Sequence, residues 1–136
     1  MPEDQRKRLM AAPYMSYVRR EDFDGAALAS VSLNHLRFDR CSLVAADLRQ
    51  ATLDNCWFRF CDLRRVNLRG ASLRFASFAG CDLRDADLRD CDLTGARFGF
   101  VNTGGPDGLT NLTGVRAAGA ILADVVFEQV IGWPAD

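Results

Sequence analysis

CDLRDADLRDCDLTGARF, residues Cys81 to Phe98, repeats itself every five residues. Each unit carries a small apolar residue, a polar residue, a Leu or Phe, and two further polar or small residues. Neither common element accommodates that period. In a helix, residues five apart diverge to different faces; in a plain strand they lie on opposite faces. A short extended piece followed by a corner does accommodate it. The large residue and the small one two positions earlier then point the same way, as strand alternation requires. If each unit is one side of a square, four units close a coil of twenty residues.

Outward from this stretch the pattern holds over most of the chain. Every fifth residue from Phe23 to Phe98 is Leu or Phe, sixteen units without a gap. Two positions before these centres the residue is mostly Ala, Val or Cys, and all five cysteines (Cys41, Cys56, Cys61, Cys81, Cys91) occupy that slot. A twenty-residue register is visible within the five-residue one. Phe38, Phe58, Phe78 and Phe98 are spaced by twenty, with only Phe23 outside the series, and Cys41, Cys61 and Cys81 align likewise. Phe is expected to stack on Phe along one face and Cys on Cys along the next, at the inter-strand spacing of ~4.8 Å.

The phase breaks at Gly104-Gly105-Pro106-Asp107-Gly108, where Pro and Gly predict an outward loop. It resumes with Leu112, Ala117, Leu122 and Phe127. With Phe127 on the Phe face, Leu112 starts a fifth coil. The small centre Ala117 predicts a narrower or looser turn there. Residues 1–20 are expected to cap the N-terminal end, with a helix from Glu3 to Ala12, because an open coil exposes unpaired backbone groups. Glu21 stands in an inward slot, so the first side is expected to be frayed. Val130, Ile131 and Trp133 are apolar and either lie across the last coil or form a dimer contact.

The units, such as Ala46-Asp47-Leu48-Arg49-Gln50 and Ala86-Asp87-Leu88-Arg89-Asp90, resemble those of the pentapeptide-repeat family, from Glu21 to Phe100 without a gap. The resemblance implies an all-β fold: a right-handed quadrilateral β-helix, or solenoid, of about five coils with four pentapeptides per coil. The expected organisation is a cap at 1–20, a β-helix at 21–130 with a loop at 103–109, and a tail at 131–136. C-terminal segments of some relatives dimerise, so a homodimer through this end is an implied option.

Composition excludes more than it assigns. Acidic and basic residues nearly cancel, at net charge −1, giving no global signal for nucleic acid. No apolar run is long enough to span a membrane, and the N-terminal RKRLMAAPYMSYVRR is interrupted by Pro13 and two tyrosines, unlike a secretory signal. A cytoplasmic, reduced protein is expected, with no membrane or direct nucleic-acid partner. The Cys41, Cys61, Cys81 column invites a redox reading, yet Ala and Val fill the same slot elsewhere, which favours packing. No CxxC pair or neighbouring His suggests a metal. His35, the single histidine, falls at an outward corner without a nucleophile or carboxylate partner. The Asp and Arg columns (Asp47, Asn67, Asp87 beside Arg49, Arg69, Arg89; Asp62, Asp82 beside Arg64, Arg84) read as a solvated, charge-alternating surface. No enzyme activity, catalytic set, cofactor or metal is therefore expected.

The outside of the Phe face differs. Trp57, Phe60 and Phe100 occupy outward or corner positions there, and Phe75 lies at the adjoining corner. Arg37, Arg40, Arg59 and Arg97 surround them, and Ser77, Ala79 and Gly80 leave a shallow gap. Aromatic and Arg clusters are what protein-binding hot spots favour, so these eight residues are the candidate protein-binding site of a non-enzymatic scaffold whose partner is unknown. An alternative follows from the resemblance. Some family members mimic B-DNA, bind gyrase or topoisomerase and give inhibitor resistance. Such mimics are strongly acidic along one face, whereas here Arg columns interleave with Asp columns.

Overall fold

The computed structural model describes residues 2–133, with side chains from Gln5. Met1 and 134–136, the end of the expected tail, lie outside the described residues. The chain winds as a parallel β-solenoid. Four twenty-residue turns run without a break from Glu21 to Phe100, and a further turn follows the loop. The expected count of about five includes that last turn, whose four sides each pair with the turn before it.

One wall is a six-stranded parallel sheet in sequence order: β1 (Tyr17–Arg19), β2 (Arg37–Asp39), β3 (Trp57–Arg59), β4 (Ser77–Ala79), β5 (Arg97–Gly99) and β6 (Val126–Phe127). Its register pairs Val18 with Phe38, then Phe58, Phe78, Phe98 and Phe127 in turn. The rings of Phe38 through Phe98 stack face to face at 4.9–5.0 Å between centroids, with planes within 6°. The other three walls are single bridges, as in Asp47 to Asn67 to Asp87 to Arg116. Each still carries ladder hydrogen bonds, such as Leu48 N–H to Asn67 C=O at 2.8 Å. The corners after Leu43, Leu48 and Leu53 close with an N–H three residues on donating back to the Leu carbonyl.

The interior is a column of Leu and Phe against Ala, Val and Cys, nearly all under 4% exposed. Each large side chain so buried contributes roughly 1.5–3 kcal/mol of transfer free energy, most of which chain entropy offsets. Leu36, two before Phe38 and 2% exposed, is a large residue that this position does hold. In the coils that carry Ala or Cys there, a second large residue would overfill so narrow a space.

The pairing begins ahead of Glu21, since β1 lies within the segment expected to form only a cap. Helix α1 (Pro2–Met10) covers the first turn. Leu9 is 4% exposed and joins the core. The Gln5 amide donates to Asp22 C=O and an Arg6 guanidinium N–H to Ala29 C=O, satisfying first-coil carbonyls. The first side is ordered rather than frayed. Glu21 turns outward to an ion pair with Arg8, and Phe23 donates its N–H to Ser42 C=O and is 1% exposed.

Between the fourth and fifth turns, Asp82 pairs with Asn111, twenty-nine residues on instead of twenty, so nine residues leave the register. They form an outward loop. Phe100 pairs antiparallel with Leu109 at its base, Val101 N–H donates to Gly108 C=O, and Pro106–Gly108 makes one 3-10 turn. Beyond it Leu112 is fully buried, but Leu122 is 42% exposed. Trp133 packs on Phe127 at 4.5 Å between ring centroids and on Phe98 at 6.1 Å, so this part of the end segment lies across the last coil.

Candidate functional site

Most of the outer surface is occupied with itself. In Asp47-Leu48-Arg49 the carboxylate accepts the Arg49 backbone N–H and two guanidinium N–H groups at 2.8–2.9 Å. Asp62-Leu63-Arg64, Asp82-Leu83-Arg84 and Asp87-Leu88-Arg89 repeat that arrangement. Strand alternation puts residues two apart on one side, so a D-x-R unit closes on itself. The Arg partners hold the Asp47 and Asp87 carboxyls below their ordinary range. Burial raises Asp82, and the Arg84 bonds outweigh it. Asn67 leaves Arg69 without this partner, and Arg69 reaches Asp90 one coil on instead.

The Phe face is different. Its outward residues form two rows along the axis, Tyr17, Arg37, Trp57, Ser77, Arg97 and Arg19, Asp39, Arg59, Ala79, Gly99. Arg37 lies between two rings, its guanidinium carbon 4.5 Å from the Trp57 centroid and 5.2 Å from that of Tyr17, and it donates to the Tyr17 hydroxyl at 3.0 Å. Arg19 covers the Tyr17 ring at 4.5 Å. Trp57 and Tyr17 remain 51% and 52% exposed. At the corner, Phe60 is half-buried between Arg40 and Arg59, at 4.8 and 5.3 Å, and its ring lies across Gly80 of the next coil, where a side chain would collide with it.

The structure thus joins five of the eight expected residues, Arg37, Trp57, Arg40, Phe60 and Arg59, into one patch. The other three stand apart. Arg97 continues the Trp57 row two coils on and pairs with Glu128 at 3.7 Å. Phe100 is half-buried at the loop base. Phe75, 54% exposed, belongs to the adjoining corner, its ring over Gly95. Tyr17 and Arg19 belong to the patch and escaped the sequence reading. Val18 carried the signal, lying five residues before Phe23 and twenty before Phe38, but it is neither Leu nor Phe and so falls outside the series of centres. The N-terminal segment therefore adds aromatic surface here and does not cover it.

All five cysteines are free and buried. Cys41, Cys61 and Cys81 each donate S–H to the carbonyl of the Phe-face centre one coil earlier, at 3.1–3.4 Å. Thr110 does the same with its hydroxyl toward Phe78. Burial pushes the Cys56 and Cys91 thiols up to about 12. His35 sits at a left-handed corner with its ring 4.6 Å from Tyr14. Among the described residues no cluster of His, Cys, Asp and Glu suits a metal, and no helix is long and apolar enough to cross a membrane.

A parallel solenoid with five-residue sides, Leu or Phe centres and a twenty-residue turn defines a class of repeat protein, and the comparisons agree with it. A family model described as "Pentapeptide repeat region" matches residues 31–106, and the chain belongs to the pentapeptide-repeat family. A solved pentapeptide-repeat protein, Rfr23 from the cyanobacterium Cyanothece 51142, matches with a TM-score of 0.71 at 20% identity, covering 98% of this chain and 100% of its own. QnrB1, a plasmid-mediated fluoroquinolone resistance protein, matches with a TM-score of 0.49 at 19% identity, over 79% of this chain and 62% of its own. HetL from the cyanobacterium Nostoc sp. strain PCC 7120 matches at 0.35 and 17%, over 92% and 93%. No curated protein sequence matches the chain.

Proposed function

We propose that the chain is a non-enzymatic interaction scaffold whose partner-binding surface is the aromatic and basic patch on the Phe face. The observation that carries this is the Tyr17-Arg37-Trp57 stack. It is a half-exposed aromatic surface held rigid on a parallel sheet, while charged residues on the other walls largely pair among themselves. Rigid aromatic and Arg anchors bind with little loss of side-chain entropy. Trp57→Ala with Phe60→Ala removes the anchors, since Trp57 points outward from the wall that Phe58 holds and Phe60 lies half-buried at the corner beside it. The expected outcome is loss of partner recovery in affinity enrichment with melting temperature nearly unchanged. Undiminished recovery of the same partner would remove the patch from the account.

DNA mimicry of the gyrase-binding kind is the alternative, and it is disfavoured by the pairing of Asp47, Asp62, Asp82 and Asp87 with arginines two residues away, which leaves no phosphate-like row. Enzyme chemistry finds no support in the geometry around His35 or the buried thiols.

A self-contact at the C-terminal end is a second element of the reading. Ile121, Leu122 and Ile131 are 51%, 42% and 37% exposed beside the last ladder edge. Leu122→Glu is expected to convert a dimer to a monomer in light scattering after gel filtration. A wild-type chain that is monomeric at micromolar concentration rejects the self-contact.

A further inference from the structure

On the reading that this face binds a partner, we propose that its occupant is an extended acidic segment of a protein, lying along the coil axis. The two outward rows make walls. Between them, near the N-terminal end, is a cavity of about 330 Å³, with Tyr17, Arg37 and Trp57 on one side and Arg19, Asp39 and Arg59 on the other. Farther along, Ser77, Ala79 and Gly99 carry little or no side chain, and a depression of about 220 Å³ continues the line to Arg97, Phe100 and Glu128. From Tyr17 to Arg97 the row climbs four coil steps, roughly 19 Å, the reach of about six extended residues.

Charge decides what fits. Arg19, Arg37 and Arg59 make no ion pair among the described residues, unlike Arg49, Arg64, Arg84 and Arg89. The two carboxylates on the groove are already engaged, Asp39 by Arg40 and Glu128 by Arg97. The groove is therefore locally cationic on a chain of net charge −1. Discrete carboxylates can meet Arg19 and Arg59 while passing Asp39, whereas a nucleic-acid backbone would bring charge against Asp39 and Glu128 as well. The exposed edges of Tyr17 and Trp57 supply one apolar seat, and Arg37, stacked between the rings, fixes it before the segment arrives.

Trp57 is a direct reporter, because the chain has two tryptophans and Trp133→Phe leaves it alone. The full chain carrying that change is titrated with a short Glu-rich peptide having one central Phe, with its Gln counterpart, and with a short single-stranded oligothymidine. Anisotropy of the labelled peptides against the unmodified chain gives the same answer if Trp133→Phe perturbs folding. The acidic peptide is expected to bind saturably, to weaken with salt, to exceed the Gln peptide by at least about tenfold, a difference of ~1.4 kcal/mol, and to be lost in Arg59→Glu. No binding of the acidic peptide, equal binding of the Gln peptide, or tighter binding of the oligonucleotide overturns the proposal. If the peptide fails while Trp57→Ala with Phe60→Ala still abolishes partner recovery, only the acidic occupant falls and the scaffold reading stands.

Discussion

Cys56 and Cys91 occupy slots that Ala fills in an adjacent coil, at Ala76 and Ala71, and their thiols donate to the Leu33 and Leu68 carbonyls one coil earlier. Their burial makes them a structural device with a pH signature. An unfolded thiol titrates near ~8.5, whereas these hold their protons to about 12. Above pH ~8.5 the unfolded chain has released protons that the folded chain retains, so deprotonation favours unfolding. The contribution is complete below that pH and is lost as pH rises toward 12, by about 1.4 kcal/mol per pH unit per thiol. Denaturant melts at pH 8 and pH 10 are expected to show a fall that shrinks in Cys56→Ala with Cys91→Ala. An unchanged fall in that variant would reject the assignment.

At the same scale, strand alternation within one unit was enough to foresee the small slot, and the twenty-residue spacing was enough to foresee the Phe stack. The pairing of Phe60 with Gly80 and of Phe75 with Gly95 has the same spacing but was not foreseen. It depends on a corner side chain reaching along the axis to the next coil, a direction that alternation does not specify.

At the scale of elements, the loop is an insertion that the coil does not need. Phe100 and Thr110 are the residues on either side of the register break, and Thr110 takes the Cys81 position in the next turn, accepting from Cys81 N–H and donating to Phe78 C=O. Joining Phe100 directly to Thr110 restores the five-residue spacing from Phe98 to Leu112. Deletion of 101–109 is therefore expected to leave the β circular dichroism signal intact, with stability within ~1 kcal/mol, since closing a short loop costs little and removing one gains little. Loss of cooperative unfolding would show that the loop is part of the fold. The loop was readable from Gly-Gly-Pro-Asp-Gly and the phase change after it. β1 was missed although Val18 keeps both spacings, because a Val at the centre and a Ser two before it depart from the Leu or Phe and Ala, Val or Cys of the units that follow.

For the whole molecule, the two ends and four walls have different tasks. Helix α1 closes the N-terminal end with Leu9 and two hydrogen bonds to first-coil carbonyls, while the last turn leaves Leu122 exposed and Ala117 only partly buried. The N-terminal cap and a looser last turn were legible in the sequence, but the exposure of Leu122 was not. Leu122 has the residue type and spacing of a core centre, and only the absence of a coil above it, among the described residues, exposes it. The Asp and Arg columns were legible as surface, but their closure within each D-x-R unit emerged only from side-chain geometry. It sharpens the functional reading, because Arg19, Arg37 and Arg59 on the groove make no ion pair among the described residues, unlike the arginines of the D-x-R units.

Two double variants with the same change of charge test that reading most directly. Arg19→Gln with Arg59→Gln alters the groove, and Arg64→Gln with Arg84→Gln alters a self-paired wall. Affinity for the acidic peptide, measured at one ionic strength, is expected to fall at least about tenfold in the first and less than about twofold in the second. Equal losses would show that only bulk charge matters and would contradict a binding site on the Phe face.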